Sequence, residues 1–206
     1  MSRCDMKYIC AGMASLALFI VVSIGVTGGD MDLFNESVRF HITSLVNPAF
    51  TNLMIAVDIV GKWYVYLSIA LLLLILPKTR MKIGIPITLA IGGGMFLNYI
   101  LKQWFAIPRP DEIYRLVSAS GYGHPSGHIM YGFAFIGTCV FLFLRSGGKK
   151  SHKTSVTVSA AAFMLLMGFN RVYLGVHTAT DVIAGYLMGI FIVTMLAVFL
   201  QKIRLI

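Results

Sequence analysis

The chain is 206 residues long, 58% hydrophobic and only 12% charged, with a mean hydropathy of +0.83. A soluble domain is about half apolar and about a quarter charged, so the composition points to a membrane and excludes disorder, collagen-like repeats and a disulfide-stapled secreted module. The net charge of +9, from 17 Lys+Arg against 8 Asp+Glu, suits nucleic acid only until the positions of the bases are considered.

Tyr8 to Val26 is an uncharged apolar run of 19 residues and predicts the first membrane span. It is longer than the apolar stretch of a signal peptide and no small-x-small cleavage site follows, so an anchoring helix is expected. Residues 28 to 58 form a long segment in which Phe34, Val38, Ile42, Leu45 and Ala49 recur at helical spacing opposite Asn35, Glu36, Arg39 and Thr43. That pattern predicts an interfacial amphipathic helix, entered at Asp30 or Asp32 and ended at Pro48. Trp63 to Pro77 is too short to span alone and is extended back through Ile59, leaving Asp58 and Lys62 near the interface and four apart, able to pair. Ile83 to Leu101 is the third span, and its Gly92-Gly93-Gly94 suggests close helix packing. Pro125 to Leu144, Thr154 to Asn170 and Val182 to Leu200 complete six spans, all helical because hydrocarbon offers no partner for stray backbone groups. The expected architecture is therefore all-α and integral to the membrane: one domain over 1–206, with six transmembrane helices. Cys4, Cys10 and Cys139 have no disulfide or metal spacing and read as small hydrophobes.

Orientation follows from the bases. Arg3, Lys7, Lys78, Arg80, Lys82, Arg145, Lys149, Lys150, Lys153, Lys202 and Arg204 share one side with a single acid, Asp5. The positive-inside rule puts that side, and both termini, in the cytoplasm. The positive charge thus reads as a topology signal rather than a nucleic-acid footprint.

Almost every unusual polar residue then falls on the outer face, and ionisable groups at membrane boundaries point to a functional site. Lys102 ends span three, and Arg109 lies between Pro108 and Pro110, out of helical geometry. The pair suits either interfacial snorkelling or an anion clamp. Pro125-Ser126-Gly127-His128 opens span four, with Ser126 as N-cap, Gly127 exposing its N–H and His128 in the first turn. Free N–H groups and the helix dipole make an anion site there; plain capping is the other reading. Arg171 ends span five, and His177 and Asp181 are four apart before span six, with Gly175 marking a break. A carboxylate on one imidazole nitrogen leaves the other free to attack or to take a proton, although a simple hydrogen-bonded pair explains the spacing equally well. His124, His128, His177 and Asp181 suggest a metal site, but Lys102, Arg109 and Arg171 would crowd it with positive charge. A multivalent anion such as phosphate fits better, and neither metal nor cofactor is expected.

These segments resemble the signature of the type-2 phosphatidic acid phosphatase superfamily: Lys-x6-Arg-Pro, then Pro-Ser-Gly-His, then Ser-Arg-x5-His-x3-Asp. Lys102 to Pro110, Pro125 to His128 and Arg171 to Asp181 match in order and spacing, with Asn170 where the signature has serine. The resemblance implies a phosphatase with His177 as nucleophile, Asp181 orienting it and His128 as general acid. Lys102, Arg109, Arg171, Ser126 and Gly127 would hold the phosphoryl oxygens. It further implies a lipid phosphate substrate met at the extracytoplasmic face of the plasma membrane, with membrane lipids as surroundings and no obligate protein partner. The loop before the second motif looks most like phosphatidylglycerophosphatase B-type members, and Tyr122, His124 and Asn170 are expected headgroup contacts. Phosphatidylglycerophosphate or a related phosphatidate is the leading substrate; undecaprenyl pyrophosphate, or transport of anionic lipids without chemistry, are the alternatives.

Overall fold

A computed structural model describes residues 3–147, 149–203 and 205. Arg204, counted above among the bases, and the side chains of Arg3 and Cys4 lie outside this description. The described chain is helical with no strand. It comprises α1 (Arg3–Gly28), α2 (Asp32–Thr43), α3 (Pro48–Val60), α4 (Trp63–Ile75), the short turn α5 (Pro77–Thr79), a π segment (Arg80–Gly84), α6 (Ile85–Phe105), α7 (Gly127–Arg145), α8 (Lys150–Tyr173) and α9 (Ala179–Lys202). Six stretches are long and apolar enough to cross a membrane. Their outward faces carry large hydrophobes, Ile24, Phe96 and Leu165 among them, as contact with lipid rather than water requires.

Five spans fall within a few residues of the expected runs. The second is longer: Pro48 to Ile75 is one stretch of 28 residues, broken at Gly61-Lys62. Pro48 begins this helix rather than ending the amphipathic one, because Asn47 caps it by accepting from the Phe50 N–H and proline is favoured at the first helical position. The amphipathic segment accordingly stops at Thr43, and none of its residues is buried. At 1.5 Å per residue, 28 residues reach about 42 Å, well beyond a hydrocarbon core of about 30 Å. Asp58, expected at an interface, instead lies inside this stretch and is buried.

Helix α9 packs against α1, α6 and α7, and α8 packs against α7 and α3. Phe19, Met130, Ala184 and Met188 join α1, α7 and α9, while Ile129, Met164, Met167 and Val182 join α7, α8 and α9. Of the three consecutive glycines in α6, only Gly94 faces a neighbour, at Tyr131 and Ala134; Gly92 and Gly93 face open space. The packing expectation for that triplet therefore holds at one position.

The alternating helices bring the end of α6, the start of α7, the end of α8 and the start of α9 to one end of the bundle. Most of the basic residues collect at the other.

Candidate active site

Each polar segment is set by a local device. α6 ends at Ala106 in left-handed geometry, its N–H returning to the Lys102 carbonyl, and Pro108 and Pro110 keep the chain extended around Arg109. Gly175 has φ +69° and lies against the Tyr114 carbonyl, so only a residue without Cβ allows the chain to turn there from α8 into α9. Thr178 and Asp181 form a capping box: the Thr178 N–H donates to Asp181 Oδ2 at 3.0 Å and the Asp181 N–H donates to Thr178 Oγ1 at 3.2 Å. The cap holds one oxygen of the Asp181 carboxylate, Oδ2, at the start of α9. The Ser126 N–H donates to the Asp181 carbonyl at 3.0 Å, so the starts of α7 and α9 are tied together.

His177 is 2% exposed. Its Nδ1 donates to Asp181 Oδ2 at 3.3 Å, and its Nε2 accepts from Arg109 Nη1 at 3.1 Å. This arrangement specifies the tautomer with the lone pair on Nε2. Burial pushes the imidazole down to about 3; Asp181 opposes the shift, and Arg171 and Arg109 add to it. His177 is therefore a neutral base whose Nε2 electron pair faces the Arg109 guanidinium.

The cations converge on the same end. Arg109 donates through Nη1 to the Val176 carbonyl at 2.9 Å and through Nε to the Ser120 and Gly121 carbonyls at 3.1 Å each. Its pKa is lowered by burial and then by the nearby Arg171. Lys102 donates to the Tyr122 carbonyl and, at 3.4 Å, to that of Gly123. Arg171 is buried and paired with Asp58 Oδ1. His128 Nε2 lies 3.6 Å from that same oxygen, too far for a hydrogen bond. Ser126 occupies the N-cap of α7, yet its side chain makes no cap bond. Ser126 Oγ, His128 Nε2 and Arg171 Nε are all buried without a hydrogen-bond partner in the protein. Buried polar atoms are nearly always satisfied, so these three, on elements that meet at one end of the bundle, are available to a polar ligand. A tetrahedral oxyanion presents enough acceptors for Ser126 Oγ–H, the arginine forks and the Gly127 N–H.

A cleft of about 430 Å³ leads to His177 and Arg109, bordered by Asp32, Glu36 and Arg39 of α2 and by Asp111. α2 is held over the start of α9 by Asn35, whose amide nitrogen donates to Thr180 Oγ1 at 2.9 Å and whose oxygen accepts from the Thr180 N–H at 3.1 Å. Among the described residues, no three His, Cys, Asp or Glu side chains are grouped to hold a metal ion.

Two expected headgroup contacts are corrected. His124 is fully buried behind Asp181. Asn170 is also fully buried, and its amide nitrogen donates to the Met54 carbonyl at 2.6 Å, stitching α8 to α3. Tyr122 is 37% exposed, and its carbonyl is the one that receives Lys102. Two further residues were not singled out from the motifs. Asp58 joins Arg171 and His128, and an acid inside a long apolar stretch was its signal. Asn98, a lone amide in span three, donates to the Pro125 carbonyl at 3.1 Å and holds the second motif in place.

Residues 83–205 match the PAP2 superfamily, and a Sulfolobus acidocaldarius undecaprenyl-diphosphatase is 30% identical over 84% of both chains. The chain belongs to the PAP2 superfamily. A Bacillus subtilis phosphatidylglycerophosphatase B is 34% identical over 59% of this chain, and the matched stretch spans 60% of that enzyme's length. The crystal structure of the transmembrane PAP2-type phosphatidylglycerolphosphate phosphatase from Bacillus subtilis superposes with a TM-score of 0.84 at 25% identity, covering 93% of this chain and 96% of the other. The helical fold is thus shared along nearly the whole chain, beyond the residues of the family match.

Proposed function

We propose that this PAP2 superfamily protein hydrolyses the phosphomonoester of phosphatidylglycerophosphate or a related phosphatidate at the outer face of the plasma membrane, through a phosphohistidine. One observation carries the reading: buried donors on Ser126 and Arg171 that no protein group satisfies lie at the same helix-end cluster as a neutral His177 whose Nδ1–H is committed to Asp181. In the first step His177 Nε2 forms a bond to phosphorus while the bond from phosphorus to the leaving oxygen breaks, and His128 gives that oxygen a proton. Lys102, Arg109 and Arg171 neutralise the phosphoryl oxygens, the main requirement of phosphoryl transfer. Water then attacks phosphorus, His128 takes its proton, and the phosphorus–nitrogen bond breaks to free phosphate and His177.

The spread of basic residues supports cytoplasmic termini and an outward-facing site, with α2 lying in the outer interface beside the cleft. The 84% coverage of the Sulfolobus enzyme supports a second reading, undecaprenyl diphosphate as substrate. Phosphate release by the purified protein in detergent from phosphatidylglycerophosphate, phosphatidate and undecaprenyl diphosphate tests both. The fastest turnover is expected on the first two; preference for the diphosphate would select the second reading. His177→Ala should release no phosphate while remaining folded and monodisperse, and full turnover by that variant would remove the mechanism.

A further inference from the structure

We infer that His124 is a positioning residue for the reaction, linking the Asp181 carboxylate to Ser23 on the first helix. This inference rests on the phosphohistidine reading and adds to it a residue outside the superfamily signature. His124 is completely buried, a costly place for an imidazole unless both ring nitrogens are satisfied. Both are: Nδ1 lies 3.1 Å from Asp181 Oδ1, and Nε2 lies 3.0 Å from Ser23 Oγ. Facing a carboxylate, Nδ1 carries the proton, and Nε2 therefore accepts from the Ser23 hydroxyl.

The ring is also held by packing. It stacks on Phe19 of α1 with 6.1 Å between centroids and meets Phe105 at the end of α6 edge-on at 5.2 Å. Gly123 allows the loop to close behind it, because a Cβ there would meet the Pro108 carbonyl at 3.0 Å and Asp181 Oδ2 at 3.2 Å. Asp181 thus sits between two imidazoles, each oxygen receiving one ring N–H, and its plane is set from both sides.

The consequence for chemistry is direct. His177 Nε2 points at phosphorus only while Asp181 Oδ2 stays in line with His177 Nδ1. Without a donor on Oδ1, the carboxylate rotates toward other donors and the nucleophile loses its aim. α1 contributes no residue to the phosphate clamp, yet through Ser23 and His124 it touches the group that orients the nucleophile.

The test uses the full-length protein in detergent with dioctanoyl phosphatidate, measuring kcat and KM separately. Hydrogen bonds to charged groups set the scale, so His124→Phe, which keeps the ring packing and removes both bonds, should lower kcat about 10- to 100-fold with KM within about threefold. His124→Asn, whose amide replaces the Nδ1 donor, should recover most of that loss. Ser23→Ala should lower kcat a few-fold in the wild-type background and have no effect in His124→Phe, because Ser23 acts only through this ring. Equal loss in His124→Phe and His124→Asn, or an undiminished Ser23→Ala effect beside His124→Phe, would overturn the inference. If His124→Phe does not fold, the His124→Asn and Ser23→Ala values decide: kcat unchanged in both, or a loss confined to KM, would overturn it. Phosphate release by His177→Ala run alongside would instead break the underlying mechanism, so the two failures are distinct.

Discussion

Replacing Asp181 with asparagine changes one oxygen to nitrogen and removes one charge. Two donors, the His177 Nδ1–H and the Thr178 N–H, face Oδ2, so the amide oxygen should settle there and the NH2 should turn toward His124. His124 accommodates this by accepting at Nδ1 and donating from Nε2 to Ser23 Oγ, so the His177 tautomer survives. What is lost is the charge opposite a ring that becomes cationic as the phosphohistidine forms. Across the observed 3.3 Å, two unit charges at an effective dielectric of about 20 interact by about 5 kcal/mol. The retained neutral hydrogen bond contributes about 1 kcal/mol, leaving a deficit of about 4 kcal/mol. That corresponds to a fall in kcat of about a thousandfold. KM should change less than about threefold, because in the proposed mechanism Lys102, Arg109, Arg171 and Ser126 hold the phosphate independently of this carboxylate. Initial rates of phosphate release at saturating dioctanoyl phosphatidate, with unfolding curves as a folding control, provide the assay. A loss below tenfold, or one appearing only in KM, would refute the electrostatic argument.

Asp58→Ala leaves the buried Arg171 without its counter-charge and should destabilise the protein by about 3–5 kcal/mol, read as a shift in denaturant midpoint in mild detergent. The depressed His177 pKa has a defined consequence for stability. The folded ring refuses a proton that the unfolded chain binds near pH 6.5, so this contribution is constant above that pH and is lost as pH falls toward 3. Over that window His177→Asn should show a pH slope of stability shallower than wild type by up to about 1.4 kcal/mol per unit. Phosphate release should continue in excess EDTA, since in the proposed mechanism cationic side chains supply the charge neutralisation; complete loss restored by a divalent cation would favour a metal mechanism.

How far the fold can be read from the sequence differs between segments. Spans one, three, four, five and six are bounded by charges or prolines, and a run of 17 to 20 uncharged residues has few alternatives to a crossing helix. The second span was misplaced because its first half contains Asp58, which reads as a boundary when charge is taken to mean exposure. That residue is buried because Arg171, 113 positions away, meets it inside the bundle. Asn98 was passed over for a similar reason: one amide in an apolar run has no visible partner until the Pro125 carbonyl is brought beside it.

The site divides along the same line. Lys102, Arg109, Ser126, His128, Arg171, His177 and Asp181 stand out in the sequence because helix ends and i,i+4 spacing are short-range features that few residues specify. His124 and Asn170 lie directly beside those motifs, yet the direction of their side chains is not legible there. Whether a side chain turns outward to a headgroup or inward to Asp181 depends on which helices close around it, here α1 through Ser23 and Phe19. Local patterns set which segments are helical and where each one stops, because backbone hydrogen bonding and hydrophobic length act over a few turns. Which buried charge finds which partner was decided only by packing, because an unpaired polar group inside the bundle is stable only where a distant helix supplies its complement.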